Sequence, residues 1–157
     1  MRDLEKNDNI LTAIKDFDHL LNSLKERENS KVGESFRSRC REFPSFMIDI
    51  GFVPALSFCY AKASKAIYDD IKEKLKKEKL EEKDKIDENE YTEKGYATYL
   101  YFILKRLSEL NLIKKEDLEN PVEALKKLSE KGVTSRLIYP YILQLKRLSE
   151  AVFKSGR

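Results

Sequence analysis

Apolar residues return at helical spacing along most of the chain. Ile10, Ile14, Phe17, Leu21 and Leu24 form one stripe, widened by Leu11 and Leu20, and predict a first helix over 3–28. Asp8 or Asn9 could cap a shorter version. A polar turn is expected over Asn29–Gly33. Phe36, Cys40, Phe43, Met47 and Ile50 then recur in steps of four, three, four and three, which predicts a helix over 34–50. Pro44 should start or kink its second half. Gly51 suits the helix end, and Pro54 the first turn of the next helix. That helix, over 53–67, presents Leu56, Cys59, Tyr60, Ala63 and Ile67, and Ile71 and Leu75 continue the pattern beyond it. The corner between these two helices, with the flanking stretch Arg37–Tyr60, reads as the unit that organises the chain.

Residues 72–90 hold 15 charges in 19 positions and cannot bury much apolar area. A loop or disordered segment is expected near 82–91. Regular spacing resumes over Thr92–Leu110, with Tyr96, Tyr99, Leu100, Ile103, Leu107 and Leu110 on the buried face and Thr92 as cap. Gly95 is tolerated there at a modest cost relative to Ala. The adjacent aromatics of this helix could stack on bases, although at helical spacing they read as core. Lys114–Leu118 reads as a short helical turn. Asn120, Pro121 and Glu123 form a helix start, and that helix carries Val122, Ala124, Leu125 and Leu128 up to Gly132. A last helix runs from Thr134 or Ser135 to about Lys154. Leu137, Ile138, Tyr141, Ile142, Leu145, Leu148 and Val152 lie on its apolar face. Pro140 either kinks it or opens it; the kink is favoured. The expectation is an all-α, single-domain bundle of about six helices over residues 1–157.

Length and composition agree with that class. The 157 residues suffice for one core, and charged residues reach 38% against a usual quarter, as solvated helix faces require. Five glycines and four prolines leave little material for tight strand connections. The opening MRDLEKNDNI has no apolar core, and no apolar run approaches about eighteen residues, so no signal peptide, no membrane span and a cytoplasmic location are expected.

Catalytic constellations are missing from the sequence. There is one histidine, His19, set opposite the apolar stripe of its helix, and there are two cysteines, Cys40 and Cys59, both on apolar faces. No phosphate-binding glycine loop occurs, and the His and Cys supply is too small for a zinc site. Asp16, Asp18 and Asp49 do not form a spaced carboxylate set. The expectation is therefore no catalytic residue, no metal and no cofactor.

Charge points elsewhere. The net value is only +3, but residues 95–157 carry 12 Lys+Arg against 7 Asp+Glu. That half could offer a shallow basic surface to a phosphate backbone or to an acidic protein. The pentapeptide KRLSE occurs twice, at Lys105–Glu109 and Lys146–Glu150, each time placing a basic pair beside a core leucine.

Two blocks carry a family resemblance. Arg39, Arg41, Pro44, Ile48, Gly51, Phe52, Leu56 and Phe58 form the first, and Tyr139, Leu145, Lys146, Arg147, Leu148 and Ala151 the second. Together they resemble the small-subunit family of the Cmr complex, the type III-B CRISPR RNA-targeting effector. Pro54, Tyr60 and Pro140 depart from the pattern. The resemblance implies a non-catalytic component of a ribonucleoprotein. Copies would stack as a minor filament beside guide-bearing backbone subunits, with a polymerase-like subunit, guide RNA and target RNA as further partners. RNA would be held through phosphates without base reading. The candidate contacts are Arg37, Arg39, Arg41, Lys105, Arg106, Lys146 and Arg147. The small subunit of a type III-A complex and a helical protein adaptor without RNA are the alternative readings.

Overall fold

The computed structural model describes residues 2–132 and 134–155, with side chains described from Asp8 onward. The described chain is all-α, as the periodicity predicts. Its helices are α1 (Arg2–Ser23), α2 (Lys31–Ile50), α3 (Phe52–Ala63), α4 (Lys65–Lys76), α5 (Tyr91–Glu109), α6 (Pro121–Glu130) and α7 (Ser135–Val152). Short 3-10 turns lie at Arg27–Asn29, Glu82–Asp84 and Lys115–Glu119.

The helix expected to run on past Ile67 is two helices, which gives seven in place of six. Ser64 adopts φ 76° and ψ 156° and breaks the path. Its N–H donates to the Tyr60 carbonyl at 2.9 Å and closes α3. Its hydroxyl accepts from the Ile67 N–H at 3.3 Å and opens α4. Both helices face the same core, so apolar spacing continues across the break and hides it.

The predicted corner is present. Gly51, at φ 99°, lies in a region that L side chains rarely adopt, and Pro54 stands in the first turn of α3. Yet the centre of the molecule is α5. It packs against α2, α3, α4, α7 and the 115–119 turn, and nearly its whole circumference from Lys94 to Leu107 is buried. Phe36 of α2 meets Tyr99 and Phe102 at ring separations of 6.0 and 5.9 Å, and Phe43 meets Tyr99 at 5.1 Å. Each such buried ring contributes about 1.5–3 kcal/mol. At Gly95 the approach of α2 is so close that a methyl group would collide with the side chain and backbone of Ser35. Gly95 is thus required by packing and is more than tolerated.

The first helix turns Phe17 and Leu20 of its apolar stripe inward, as expected, but its N-terminal half is rotated away from the stripe. Leu11 and Ile14 are exposed, whereas Asn9, Ala13, Asp16, Phe17, Leu20 and Ser23 are buried. The reason is chemical: α1 lies where the buried guanidinium of Arg106, the phenol of Tyr141 and the ammonium of Lys105 need oxygen partners. His19 sits at the edge, where Nε2 donates to the Leu75 carbonyl at 2.8 Å and ties α1 to the end of α4.

Residues 77–90 connect α4 to α5. Ile86 is buried, pairs with Leu24, and its N–H donates to the Ser23 carbonyl at 2.8 Å. The Glu88 carboxylate accepts from Ser30 Oγ and from the N–H groups of Lys31 and Val32, which otherwise have no partner at the start of α2. Glu90, in left-handed geometry, precedes α5 in the capping position expected of Thr92. Asn120 caps α6 as expected, accepting from the Glu123 N–H at 3.4 Å, but Val122 is exposed. The last helix runs through Pro140, so 134–138 is not a separate turn. Leu137 of its predicted apolar face is exposed. Among the described residues no helix is long and apolar enough to cross a membrane.

Candidate nucleic-acid interface

The seven candidate cations fall into three environments. Lys105 and Arg106 lie on the inner side of α5, against α1. Arg106 is 2% exposed. Its Nε donates to Asn9 Oδ1 at 2.7 Å, Nη2 to Asp8 Oδ2 at 2.9 Å, and Nη1 to Thr12 Oγ1 and Glu109 Oε1 at 3.4 Å. Lys105 bonds Asp16 at 3.0 Å and Glu109 at 2.8 Å. Desolvation works against its charge, yet the two carboxylates hold its pKa above the ordinary lysine value. This pair knits two helices together and does not present a free cation to a phosphate. The reason is the break in symmetry between the two KRLSE copies: α5 is enclosed, whereas α7 lies on the outside.

On α7 the same two residues stand differently. Lys146 is half-buried and lies 3.8 Å from Glu150, a weak pair. Arg147 is exposed. These two are available to solvent, and so is Arg41 of α2. Arg37 shares the Arg41 side of that helix by its four-residue spacing but is partly covered, and its buried Nε has no partner among the described residues.

Arg39 lies roughly 160° around α2 from both. Its guanidinium covers the face of Tyr96 at 4.1 Å and pairs with Glu42 at 3.2 Å. Arg39 and Arg41 nevertheless both line a groove of about 480 Å³ formed by residues of α2, α3 and α5. Phe46, Phe58 and Tyr96 line this groove, with ring separations of 4.9 and 6.0 Å. Sequence reading missed this groove. Its aromatics come from three helices, and only the fold brings them together. The aromatics weighed as base platforms on α5, Tyr99, Tyr101 and Phe102, are core residues.

Nucleophile chemistry is suppressed. Burial raises the thiol pKa of Cys40 strongly and that of Cys59 to about 12, so neither ionises near neutrality. Among the described residues no group of three or more His, Cys, Asp or Glu could hold a metal ion.

The fold and these surfaces define a small helical protein whose charged side chains partly lock its own seams and partly face outward as isolated cations. Comparison with known proteins makes this specific. The model of the family "CRISPR-associated protein (Cas_Cmr5)" matches residues 13–116, and the chain belongs to that family. The chain is 31% identical over 160 residues to the CRISPR system CMR subunit Cmr5 of Saccharolobus solfataricus, covering 98% of this chain and 99% of that protein. The fold also matches a chain in the cryo-EM structure of the type III-B Cmr-beta complex bound to cognate target RNA and AMPPnP. The TM-score is 0.74 at 21% identity, over 96% of this chain and 99% of the other. A chain in the Cmr-beta complex bound to non-cognate target RNA matches with a TM-score of 0.76 at 23% identity, over 94% and 97%. The resemblance carried by the two sequence blocks is thereby borne out at the level of family and fold.

Proposed function

We propose that this chain is the non-catalytic small subunit of a type III-B Cmr ribonucleoprotein, stacking in several copies as a minor filament along the guide–target RNA duplex. Its partners are the backbone and polymerase-like subunits, guide RNA and target RNA. It acts in the cytoplasm, needs no cofactor, and aids target retention in defence against foreign nucleic acid. The carrying observation is the 31% identity with a Cmr subunit, spread over 98% of the chain and not confined to one motif.

The surface supports an electrostatic role. Arg41, Lys146 and Arg147 face solvent, and Arg37 is partly accessible. Cations of this kind neutralise phosphates without reading bases, so their contribution falls with salt and is nearly independent of sequence. One subunit offers few such contacts, and repetition along a filament multiplies them. Lys105, Arg106 and Arg39 are engaged in internal pairs and contribute to the fold of the subunit.

The test is purification of the tagged protein from its native host with sequencing of bound RNA. Guide-sized RNAs sharing a repeat-derived end, recovered with backbone and polymerase-like subunits, are the expected result. A variant carrying Arg37→Glu, Arg41→Glu, Lys146→Glu and Arg147→Glu should still join the complex and retain less target RNA. Recovery of a protein partner without RNA would overturn the proposal.

A further inference from the structure

We propose that an unpaired stretch of target RNA lies along the outer side of the α2–α7 seam, with its phosphates on Arg37, Arg41 and Lys146 and a base against Tyr139 and Ile48. The inference rests on the proposed function and deepens it: this face takes single strand and not duplex.

Two contacts fix how these helices meet. Gly33 lies against the Phe153 ring, and the Cys40 thiol lies against the Ser149 side chain, so α2 and α7 are antiparallel neighbours. Phe36 and Phe43 of α2 and Tyr141 of α7 point from this seam into the core. On the side away from the core, helical rotation places Arg37, Arg41 and Ile48 within about 40° of one another on α2. Tyr139 and Lys146 lie within about 20° of each other on α7. Because the helices run in opposite directions, Lys146 falls near the level of Arg41 and Tyr139 near that of Ile48. Cations thus occupy one part of the seam, and apolar side chains continue it toward the Gly51 corner.

Charge selects a nucleic acid for this face. The helices α2 and α7 together carry seven Lys+Arg against four Asp+Glu, whereas α1 carries three against five and residues 65–90 eight against ten. Two carboxylates stand near the seam, and both have cations: Glu34 lies 3.6 Å from Lys31, and Glu150 lies 3.8 Å from Lys146. Arg37 and Arg41 have no ion-pair partner among the described residues, and the buried Nε of Arg37 has no acceptor. Phosphate oxygens supply what these cations lack. The apolar part selects single strand. Ile48 is 75% exposed, and the half-buried Tyr139 enters no ring–ring or cation–ring contact among the described residues. Tyr96, by contrast, has Arg39 over its face. An unstacked base can lie on an aromatic ring beside cations, whereas the bases of a duplex are held within their own stack. Such stacking tolerates any base, so it adds affinity without sequence preference.

The experiment places p-benzoylphenylalanine at position 139 of the subunit, assembled with the other subunits of its host complex, guide RNA and a target RNA that extends beyond the guide-complementary stretch. Irradiation is followed by mapping of the crosslinked nucleotide. The expected crosslink joins position 139 to target RNA at an unpaired nucleotide. In filter binding of the assembled complex, Tyr139→Phe should hold target RNA as the wild type does. Tyr139→Ala should hold it about tenfold more weakly with an unchanged salt slope. Ile48→Ser, which leaves the core intact, should weaken retention about fivefold, again without changing the slope. Arg37→Gln and Lys146→Gln should instead reduce the slope. A crosslink only to paired nucleotides, only to guide RNA, only to protein, or none in a complex that the subunit has joined would overturn the single-strand proposal while leaving the proposed function in place. Wild-type retention by both Tyr139→Ala and Ile48→Ser would overturn it in the same way. Failure of the wild-type chain to join the ribonucleoprotein would overturn both.

Discussion

The phenol of Tyr141 donates to Asp16 Oδ2 at 2.7 Å in the buried seam between α7 and α1, across 125 residues of sequence. The other oxygen of Asp16 accepts from Lys105 of α5 at 3.0 Å, so one carboxylate joins three helices. Burial and the adjacent Asp16 charge push the Tyr141 phenol well above its ordinary pKa, so it remains a donor at all physiological pH values. Tyr141→Phe removes one donor and should cost about 1–2 kcal/mol. Asp16→Ala should cost more, about 2–4 kcal/mol, because it strands the buried phenol and leaves the ammonium with Glu109 alone. The double variant should cost less than the sum of the two. Urea denaturation of the four proteins measures this coupling. Strict additivity would show that the bond contributes nothing to stability.

This seam also shows where sequence reading stops. The period of the apolar residues locates the helices except for the break between α3 and α4, and the Gly51–Pro54 corner and the Asn120 cap are legible because each rests on local backbone chemistry. The inward face of α1 is legible at Phe17 and Leu20 but not in the N-terminal half, where Leu11 and Ile14 are exposed. A hydrophobic stripe identifies the core side only when the neighbouring helices are apolar, and here they present Arg106, Lys105 and Tyr141. Residue type and spacing mark the candidate cations but not their exposure. Whether a KRLSE segment lies at the centre of the bundle or at its edge is a tertiary fact, and that fact separates Arg106 from Arg147.

Ser64 makes a local conflict testable. A left-handed φ of 76° disfavours a serine, but its hydroxyl caps α4. Ser64→Gly loses the cap and relieves the backbone, and should change stability by less than about 0.5 kcal/mol. Ser64→Ala keeps the strain and loses the cap, and should destabilise by about 1–2 kcal/mol. Thermal denaturation followed by circular dichroism distinguishes them. Equal effects would mean that strain at this position is unimportant.

Gly95→Ala should reverse the usual rule for helices. On an open helix the change is favourable by about 1 kcal/mol. Here the new methyl meets Ser35, including its backbone carbon, so α2 and α5 must separate along their main contact. A net loss of about 1–3 kcal/mol is expected. Combining it with Ser35→Gly should recover part of the loss, which guanidinium titration would detect. A stabilised single variant would show that the helices yield easily.

Acid should weaken the protein in a defined direction. Burial would raise the Asp117 pKa, but the Lys114 N–H at 2.7 Å and Lys127 Nζ at 2.9 Å outweigh it and hold the carboxyl below the ordinary range. Hydrogen bonds from Lys94 and from the Asn89 N–H lower Asp87 in the same way, and those from Lys72 and Lys76 lower Glu119. A folded pKa below the unfolded one means that the unfolded chain binds more protons in between. The stabilisation is therefore complete above the ordinary carboxylate value near about 4, and is lost as pH falls through the depressed folded values. Asp117→Asn should flatten this part of the profile. Midpoints of thermal unfolding measured downward from neutrality would show it, and an unchanged slope would remove Asp117 from the account.

Arg106 and Arg147 should separate stability from RNA retention, although they occupy the same position of an identical pentapeptide. Arg106→Gln leaves Asp8 and Asn9 facing a poorer partner in a buried seam, and should destabilise the subunit by about 2–4 kcal/mol. Once folded and assembled, that variant should retain target RNA as the wild type does, because the guanidinium never reached solvent. Arg147→Gln should alter stability by no more than about 0.5 kcal/mol, since the residue is exposed. In the assembled complex it should weaken RNA retention equally for unrelated target sequences and reduce the salt slope by about 1 for each subunit that contacts a phosphate through this residue. Filter binding across a salt series, paired with denaturation of the isolated subunits, gives both readouts. Loss of RNA retention by the Arg106 variant at full stability, with no effect from Arg147, would invert the assignment and place the phosphate contact at the α1–α5 seam.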